Sequence, residues 1–451
     1  MSTGTPNLAP LEPGSRALVL GLGRTGVSTA RYLQRRGLGV RVADTRAEPP
    51  GAGALCEQVP AAELHTGPFV PSLLDGVAQV VVSPGLSLRE PVVAEAVARG
   101  LPVVGDVELF AREAPAPVAA ITGTNGKSTV TTLLAALASA AGMPAVAGGN
   151  LGEPALDLLA RPVPALYVLE LSSFQLETTW SLETATATVL NVSPDHMDRY
   201  DSLDDYAAAK ARIFERCAVA VVNADDPRVR AMTRAGQSVI TFGLESPGAD
   251  YRVRSGDEPL LECRGEPLLP VAALRIQGLH NAANALAALA MCEALGLPRA
   301  PALEALQSFG GLPHRSQWVG ERDGVRYVND SKGTNVGATV AAVAGTAGPV
   351  VLIAGGDGKG QDFGELAVAF RGRVRHAVLI GRDGPRLAAA LAGTCTTEAA
   401  ADMRAAVRAA SAAALPGDTV LLSPACASLD MYRDYAQRGD EFVAAVRSLD
   451  A

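Results

Sequence analysis

Short apolar runs alternate with longer amphipathic stretches along almost the whole chain of 451 residues. This alternation is typical of βα units whose strands form parallel sheets. One region, Tyr251–Ile276, instead has the pattern of a short antiparallel meander. The predicted strands are Ala17–Leu20, Val40–Ala43, Val118–Thr122, Leu166–Leu171, Ala187–Val192, Val219–Asn223, Val325–Asn329, Val350–Ala354, Ala377–Ile380 and Thr419–Leu422.

The chain is too long for one ordinary core and divides into three predicted α/β domains, at about 150 residues per domain. A proline-rich stretch at 114–117 and a glycine-rich stretch at 309–313 separate them. We place the domains at 1–112, 113–311 and 312–451, with hinges near the two stretches.

Composition narrows the classes of function. A net charge of −8 argues against a general nucleic-acid or membrane-surface binder, which would carry a basic face. The six cysteines form no C-x-x-C pair, which favours reduced thiols over disulfides or a zinc site. Residues 1–15 lack a basic segment followed by an apolar run, so we expect no signal peptide and a cytoplasmic protein.

Only four of the 39 basic side chains are lysine. Lys127, Lys332 and Lys359 lie in Gly- or Asn-rich loops, and Lys210 lies in an Ala-rich helical stretch. A lysine offers a compact charge and an amine that can lose its proton and react, which an arginine does not. The loops with lysines are therefore candidates for chemistry.

The run Gly123-Thr-Asn-Gly-Lys-Ser-Thr129 follows a predicted strand and opens a predicted helix. This pattern indicates a loop that cradles phosphates with backbone amides and a helix N-terminus. Lys127 would reach the β- and γ-phosphates, and Ser128 or Thr129 would bind Mg²⁺. Ile121 stands where the usual motif has glycine, so the loop is a shortened variant.

Two further residues are candidates for a metal site beside this loop. Glu170 ends an apolar strand, where a carboxylate needs a partner such as Mg²⁺. His196 lies in a loop after another strand and would be a second metal contact. Lys210 has alanine neighbours that would lower its pKa, and a neutral amine can capture CO₂ as a carbamate. Its residue context alone nevertheless favours a lysine on the surface of a helix.

The first domain carries Gly21-Leu-Gly23-Arg-Thr-Gly26 after a strand, with Asp44 at the end of the next. This spacing indicates a diphosphate or nucleotide at a helix N-terminus. An NAD-dependent oxidoreductase is one interpretation. Thr45-Arg46 and the loop Ser83–Gly85 would equally hold a uridine nucleotide.

Three polar loops follow strands in the third domain, at 329–335, 355–359 and 423–428. Two of them carry rare lysines, so we expect a site for a small anionic substrate at this sheet edge. Arg315, next to His314 at the hinge, could contact nucleotide phosphates across the cleft.

At this point several runs together resemble the bacterial Mur ligases, in order along nearly the whole chain. Within the family the chain is most similar to the members that add D-glutamate. Gly333 departs from the alanine usual in its loop, which should loosen the loop slightly. The runs are Gly123–Thr129, Leu171–Glu177, Asn191–Tyr200, His280–Asn284, Asn329–Asn335 and Leu422–Asp430.

The resemblance implies an α/β fold of three domains: a Rossmann-like N-terminal domain, a central mononucleotide-binding parallel-sheet ATPase domain and a Rossmann-like C-terminal domain. It also implies ATP-dependent addition of D-glutamate to UDP-N-acetylmuramoyl-L-alanine through an acyl phosphate, in peptidoglycan precursor synthesis. Other amino-acid-adding ligases, including folylpolyglutamate synthase, and a non-enzymatic ATP-gated switch are alternatives. We expect a monomer that binds neither nucleic acid nor membrane.

The resemblance also assigns residues. ATP would bind Thr124, Asn125, Gly126, Lys127, Ser128, Thr129, Asn284, Arg315 and Asp330. The UDP-substrate would bind Arg24, Thr25, Asp44, Thr45, Arg46, Ser83, Pro84, Gly85, Asn150 and His196. D-glutamate would bind Thr334, Lys359 and Ser428. Two Mg²⁺ ions would be held by Ser128, Glu170, His196 and a carbamylated Lys210. The catalytic residues would be Lys127, His196, Lys210 and Lys332.

Overall fold

The computed structural model describes residues 11–276, 278–346 and 348–450, apart from the side chain of Asp450. Residues 1–10, on which the expectation about a signal peptide largely depends, lie outside the described residues. Within the described ranges, no helix combines the length and the apolar character that crossing a bilayer requires.

The first sheet has five parallel strands in the order β3-β2-β1-β4-β5. The order reverses at the central strand β1, and ligands of open α/β sheets bind beyond the carboxyl ends of strands at such a point. The strands are β1 (Arg16–Leu20), β2 (Gly39–Asp44), β3 (Glu63–Thr66), β4 (Gln79–Val82) and β5 (Val103–Val104). The helices are α1 (Arg24–Arg35), α2 (Ala52–Gln58), α3 (Pro91–Ala98) and α4 (Asp106–Ala111).

The second sheet has nine strands in the order β14-β13-β12-β11-β10-β9-β6-β8-β7. The pairs β12–β13 and β13–β14 are antiparallel, and the other pairs are parallel. Its strands are β6 (Val118–Thr122), β7 (Ala145–Gly149), β8 (Leu166–Glu170), β9 (Thr184–Val189), β10 (Cys217–Asn223), β11 (Ser238–Gly243), β12 (Tyr251–Arg254), β13 (Leu260–Cys263) and β14 (Glu266–Pro270). Its helices are α5 (Lys127–Ala140), α6 (Ala155–Leu158), α7 (Ser173–Glu177), α8 (Leu203–Ala211), α9 (Pro227–Arg230), α10 (Leu279–Ala294) and α11 (Arg299–Ser308).

The third sheet has six strands in the order β15-β16-β20-β17-β18-β19, parallel except for the edge strand β15. Its strands are β15 (Gln317–Arg322), β16 (Val325–Asn329), β17 (Val350–Gly355), β18 (Val374–Ile380), β19 (Thr396–Ala399) and β20 (Thr419–Leu422). Its helices are α12 (Val336–Gly345), α13 (Gly364–Phe370), α14 (Gly384–Ala390), α15 (Met403–Ala413) and α16 (Tyr435–Arg447). The strands that precede the three polar loops, β16, β20 and β17, are neighbours, so those loops share one sheet edge.

Two details of the predicted elements were wrong. The strand expected at Ala187–Val192 is β9, three residues earlier. The apolar run continues past its end because Leu190 and Val192 are buried in the loop that follows. The meander ends at Pro270, and its first strand pairs in parallel with β11 and so extends the main sheet.

Buried polar contacts join the first sheet's domain to the second. The carboxylate of Glu108 in α4 is fully buried and accepts hydrogen bonds from the backbone N–H groups of Trp180 and Ser181, at 2.8 and 2.9 Å. Arg112 donates to the same carboxylate at 3.0 Å. A buried charge is tolerated only with such partners, so this contact fixes how the two domains meet.

Candidate functional site

The loop between β6 and α5 has the geometry of a phosphate-binding loop. Gly126 has a φ of 84°, and a Cβ there would lie 2.5 Å from the side-chain oxygen of Asn284. A glycine is therefore required by both backbone and space. The side chain of Asn191 brackets the loop, since it accepts from the backbone N–H of Asn125 at 2.8 Å and donates to its carbonyl at 3.2 Å.

Two lysines converge on this loop. The Lys127 ammonium donates to the carbonyls of Gly123 and Thr124, at 2.7 and 2.8 Å. Lys210 donates to the same Gly123 carbonyl at 2.9 Å. Burial lowers the pKa of both amines, and that of Lys210 lies well below its ordinary value because the charge of Lys127 adds to the effect of burial.

The expectation that Lys210 lies on the surface of its helix was wrong. Its side chain is only 1% exposed. It lies on the buried face of α8, 4.4 Å above the ring of Tyr206, beneath the phosphate loop. The run of small alanines gave no amphipathic pattern from which this face could be predicted.

Glu170 and His196 lie beside the loop. The Glu170 carboxylate is buried, with one oxygen accepting from Asn150 at 2.6 Å and the other without a protein partner. Such an orphaned buried oxygen fits Mg²⁺, which is commonly bound by one or two carboxylates together with phosphate oxygens. Burial lowers the pKa of His196, against the opposing charge of Asp195, so the ring is neutral at pH 7 and able to bind a metal.

A central cavity of about 400 Å³ opens over these residues. It collects most of the residues predicted for the phosphates, the metal and the amino acid. Lys210 and Ser428 do not line it. Lys210 lies behind the phosphate loop, and Ser428 lies at the end of the β20 loop, one residue beyond a bridge between Asp357 and Ala427. The predicted residues that line it are Pro84, Gly85, Thr124, Asn125, Gly126, Lys127, Ser128, Asn150, Glu170, His196, Arg315, Lys332, Thr334 and Lys359.

A lateral cavity of about 320 Å³ shares Asn125, Gly126, Arg315 and Lys332 with the central cavity. It extends to Thr129, Asn284 and Asp330 and is also lined by Leu190, Phe242 and His280, whose apolar surfaces suit a flat base.

A third cavity, the N-terminal cavity of about 440 Å³, lies at the carboxyl ends of β1, β2 and β4. It meets the central cavity at Pro84, Gly85 and Asn150. The Asp44 carboxylate in it accepts hydrogen bonds from Arg46 and from the backbone N–H of Leu22, and these lower its pKa to about 2 against the effect of burial. The predicted residues that line it are Arg24, Thr25, Asp44, Thr45, Arg46, Ser83, Pro84, Gly85 and Asn150.

The third domain reaches the phosphate loop through its own charged groups. Arg315 donates to the Ser128 hydroxyl, and burial lowers its pKa. Burial, together with the charges of Arg315 and Lys127, lowers the pKa of Lys332 to about 8. Lys359 lies 3.6 Å from Asp195 of the central domain.

Sequence reasoning assigned no role to Asn191, Asp195 or Asn335, which the structure brings into the site. Asn335 donates to Asn125 of the phosphate loop at 3.2 Å and to Asp195 at 3.4 Å, across the domain border. Asn191 and Asp195 lie in the same loop as His196, and this shared loop was the sequence feature that could have identified them as site residues. No sequence pattern indicated the pairing of Asn125 with a residue 210 positions away.

Comparison with protein-family models matches three successive parts of the chain to domains of one family, the Mur ligases. The model of the Mur ligase middle domain matches residues 121–292, that of a MurD-like Mur ligase N-terminal domain matches 15–105, and that of a Mur ligase glutamate ligase domain matches 314–426.

Relatives and solved structures agree with these matches. The chain is 53% identical over 448 residues to the UDP-N-acetylmuramoylalanine–D-glutamate ligase of Nitrosococcus oceani, covering 98% of each chain. It is 49% identical over 440 residues to the enzyme of that name from Pseudomonas aeruginosa, covering 96% of this chain and 98% of the relative. The UDP-N-acetylmuramate-alanine ligase structure from Thermotoga maritima shares the fold, with a TM-score of 0.61, 19% identity and coverage of 96% of this chain and 99% of that one.

Proposed function

The chain belongs to the Mur ligase family, and we propose that it is the ATP-dependent ligase that joins D-glutamate to UDP-N-acetylmuramoyl-L-alanine in peptidoglycan precursor synthesis. The observation that carries the proposal is one cavity that combines a phosphate loop, a buried carboxylate and two lysine-bearing loops of another domain. These are the groups that a reaction between two anionic substrates and a triphosphate requires.

The reaction has two steps. The substrate carboxylate attacks the γ-phosphorus of ATP, so that an acyl phosphate forms and ADP leaves. The amine of D-glutamate, having lost its proton, then attacks the acyl carbon, an amide bond forms and phosphate leaves. Lys127, Arg315 and Lys332 would offset the negative charge gathered at the phosphates.

Each substrate has a proposed place. ATP would bind with its phosphates on Thr124–Thr129 and its base in the lateral cavity, beside Asn284 and Asp330. The UDP moiety would occupy the N-terminal cavity, and the rest of that substrate would pass Asn150 towards His196. D-glutamate would bind Thr334, Lys359 and Ser428. The location of Lys359 and Thr334 on the central cavity supports this arrangement.

Mur ligases require Mg²⁺. Ser128 and the unpaired oxygen of Glu170 would hold one ion with the phosphates, and bound Mg²⁺ would supply charge neutralisation there. We propose a second ion held by His196 and a carbamylated Lys210. The depressed pKa of Lys210 supports the carbamate, because only a neutral amine adds to CO₂. We also propose a monomer that acts in the cytoplasm.

The test is phosphate release from ATP with UDP-N-acetylmuramoyl-L-alanine as acceptor and single amino acids as donors. We expect D-glutamate to stimulate release and to appear in the product, and L-glutamate, L-alanine and D-alanine to have little effect. Stimulation by a different amino acid would assign the protein to another ligase of the family. ATP binding without turnover for any pair would contradict ligase activity.

A further inference from the structure

We propose that Arg199 is a positioning residue that holds the wall between the N-terminal cavity and the central cavity. Its guanidinium donates to two consecutive carbonyls of the first domain, that of Gly85 at 3.2 Å and that of Leu86 at 2.9 Å. Arg199 itself belongs to the loop of His196 in the second domain. One side chain therefore joins two loops that approach the substrate from different domains.

The guanidinium also packs against the aromatic residues around His196. Its central carbon lies 4.3 Å from the centroid of the Phe174 ring. That ring lies edge-on to His196 at 5.0 Å and stacks with Tyr200 at 5.8 Å. A planar guanidinium can stack on a ring and donate in its own plane at once, which a lysine ammonium cannot do.

The loop that Arg199 holds is in turn joined to the glycine-rich turn Gly21–Gly26 of the N-terminal domain. The Ser83 hydroxyl donates to the Gly21 carbonyl at 3.0 Å. A Cβ at Gly21 would lie 3.3 Å from the Leu86 side chain, so the two loops are in close packing. The contacts run without interruption from Gly21 through Ser83 and Leu86 to Arg199.

The position of Arg199 bears on how the UDP-substrate is placed, and this part of the inference rests on the function proposed above. Pro84 and Gly85 line both cavities, so the UDP-substrate has to pass them to bring its carboxylate to the phosphate loop. A misplacement of about 1 Å at such a point can cost a factor of about 100 in rate. Arg199 would act through the loop that it holds, without touching the reacting atoms.

The test compares Arg199→Met and Arg199→Lys with Arg89→Met as the matched control. Arg89 pairs with Asp201 at 2.6 Å across the same domain border, but both side chains are largely exposed, at 67% and 73%. Such an exposed ion pair contributes little to the free energy that holds the two domains together. We expect Arg199→Met to raise KM for the UDP-substrate about tenfold, equivalent to about 1.4 kcal/mol, with KM for ATP and D-glutamate near wild type. The KM of Arg199→Lys for the UDP-substrate should lie between those of Arg199→Met and the wild type, and the KM of Arg89→Met should equal that of the wild type.

A second readout needs no substrate and separates this inference from the proposed function. Amide hydrogen exchange in the segment 83–88 should become faster in Arg199→Met and stay unchanged in Arg89→Met. Unchanged exchange in Arg199→Met would overturn the positioning role whatever reaction the protein catalyses. Faster exchange with an unaltered KM for the UDP-substrate, or with equal losses for all three substrates, would overturn the role in substrate placement. A wild-type protein that makes no product would instead reject the proposed function alone.

Discussion

The Gly123 carbonyl is shared by two ammonium groups, that of the half-buried Lys127 and that of the buried Lys210. Two like charges in a low-dielectric region favour the neutral form of one of them. Lys210 is the group whose pKa is lowered further, because it lies deeper and faces the charge of Lys127. Its chemistry should therefore differ from that of Lys127, although both amines contact one oxygen.

Substitution of Lys210 by alanine tests this difference. Loss of a carbamate that holds a metal should lower kcat about 100-fold. Added formate or acetate should restore part of the activity, because a short carboxylate can occupy the space of the missing carbamate. Lys127→Ala is the control, since it would remove the proposed phosphate contact and should be inactive with or without carboxylate. A fully active Lys210→Ala enzyme would dismiss the carbamate.

Asp330 provides a prediction about stability and pH. Burial raises its pKa from 3.8 to about 6, against hydrogen bonds from Ser423 and Ser316 that favour the carboxylate. The charged carboxylate therefore costs the folded domain about 3 kcal/mol above pH 6. The cost declines as the pH falls from 6 to 4, because the folded state takes up its proton first.

Asp330→Asn should therefore stabilise the C-terminal domain at pH 7.5, by about 1–3 kcal/mol, while it lowers turnover. The gain should vanish near pH 4. The gain in the free energy of unfolding is measured by urea unfolding, monitored through hydrogen exchange in β17 and β20. A variant that is less stable than the wild type at pH 7.5, by the same amount as at pH 4, would contradict this account.

Helix α16 contacts and positions the polar loops of the third domain. Arg438 in this helix is fully buried and donates to the carbonyls of Ser331 at 2.7 Å and Cys426 at 3.1 Å. The side chain of Asn329 donates to the carbonyl of Gly439, next to it in the helix, at 3.1 Å. Arg438 also donates to the carbonyl of Gly355 at 3.5 Å, so all three polar loops contact one helix.

Arg438→Met should destabilise the C-terminal domain by about 3 kcal/mol, because it leaves buried carbonyls without donors. Arg438→Lys should recover only part of this, since an ammonium lacks the planar fork. We also expect KM to rise for D-glutamate by a larger factor than for ATP, each compared with the wild type. Arg433→Met, at an exposed position just before α16, is the control and should unfold like the wild type. Equal stability of Arg438→Met and Arg433→Met would refute the role of the buried guanidinium.

The elements themselves were largely predictable, because strands and the phosphate loop are encoded locally. The strand β6, the glycines after it and the helix α5 form one continuous pattern. Seven strands were nevertheless not predicted: β3, β4, β5, β7, β11, β15 and β19. The residues of the edge strand β15 are mostly half-exposed and show no apolar run. The buried partners of Lys210, Arg438 and Asn335 could not be predicted, since each depends on segments that meet only in the folded chain.

For the whole molecule, the two domain borders differ in kind. The first domain meets the second through buried groups such as Glu108, together with the pair Arg31–Asp157 at 2.5 Å. The third domain reaches the second through polar side chains that line the central cavity, among them Asn335, Lys359 and Arg315. The proposed function places the reaction in that cavity, so we expect the third domain to open and close over the other two.

Asn335 is the contact through which closure can be measured. Its side-chain oxygen caps α12 by accepting from Ala338 at 2.8 Å, while its amide nitrogen donates to Asn125 and Asp195. Serine retains the cap but cannot reach across the border. Asn335→Ser should therefore keep the stability of the domain and lower kcat/KM for D-glutamate about fivefold to tenfold, a loss of about 1 kcal/mol.

A double-mutant cycle with Asn125→Ala separates closure from local damage. If the two amides act as one contact between the domains, the loss in the double variant should be smaller than the sum of the single losses, by about 0.5–1 kcal/mol. Asn335→Ala should lose stability as well, because it removes the helix cap. Strictly additive losses in kcat/KM would mean that the two side chains act independently, and the third domain would then close through Arg315 and Lys359 alone.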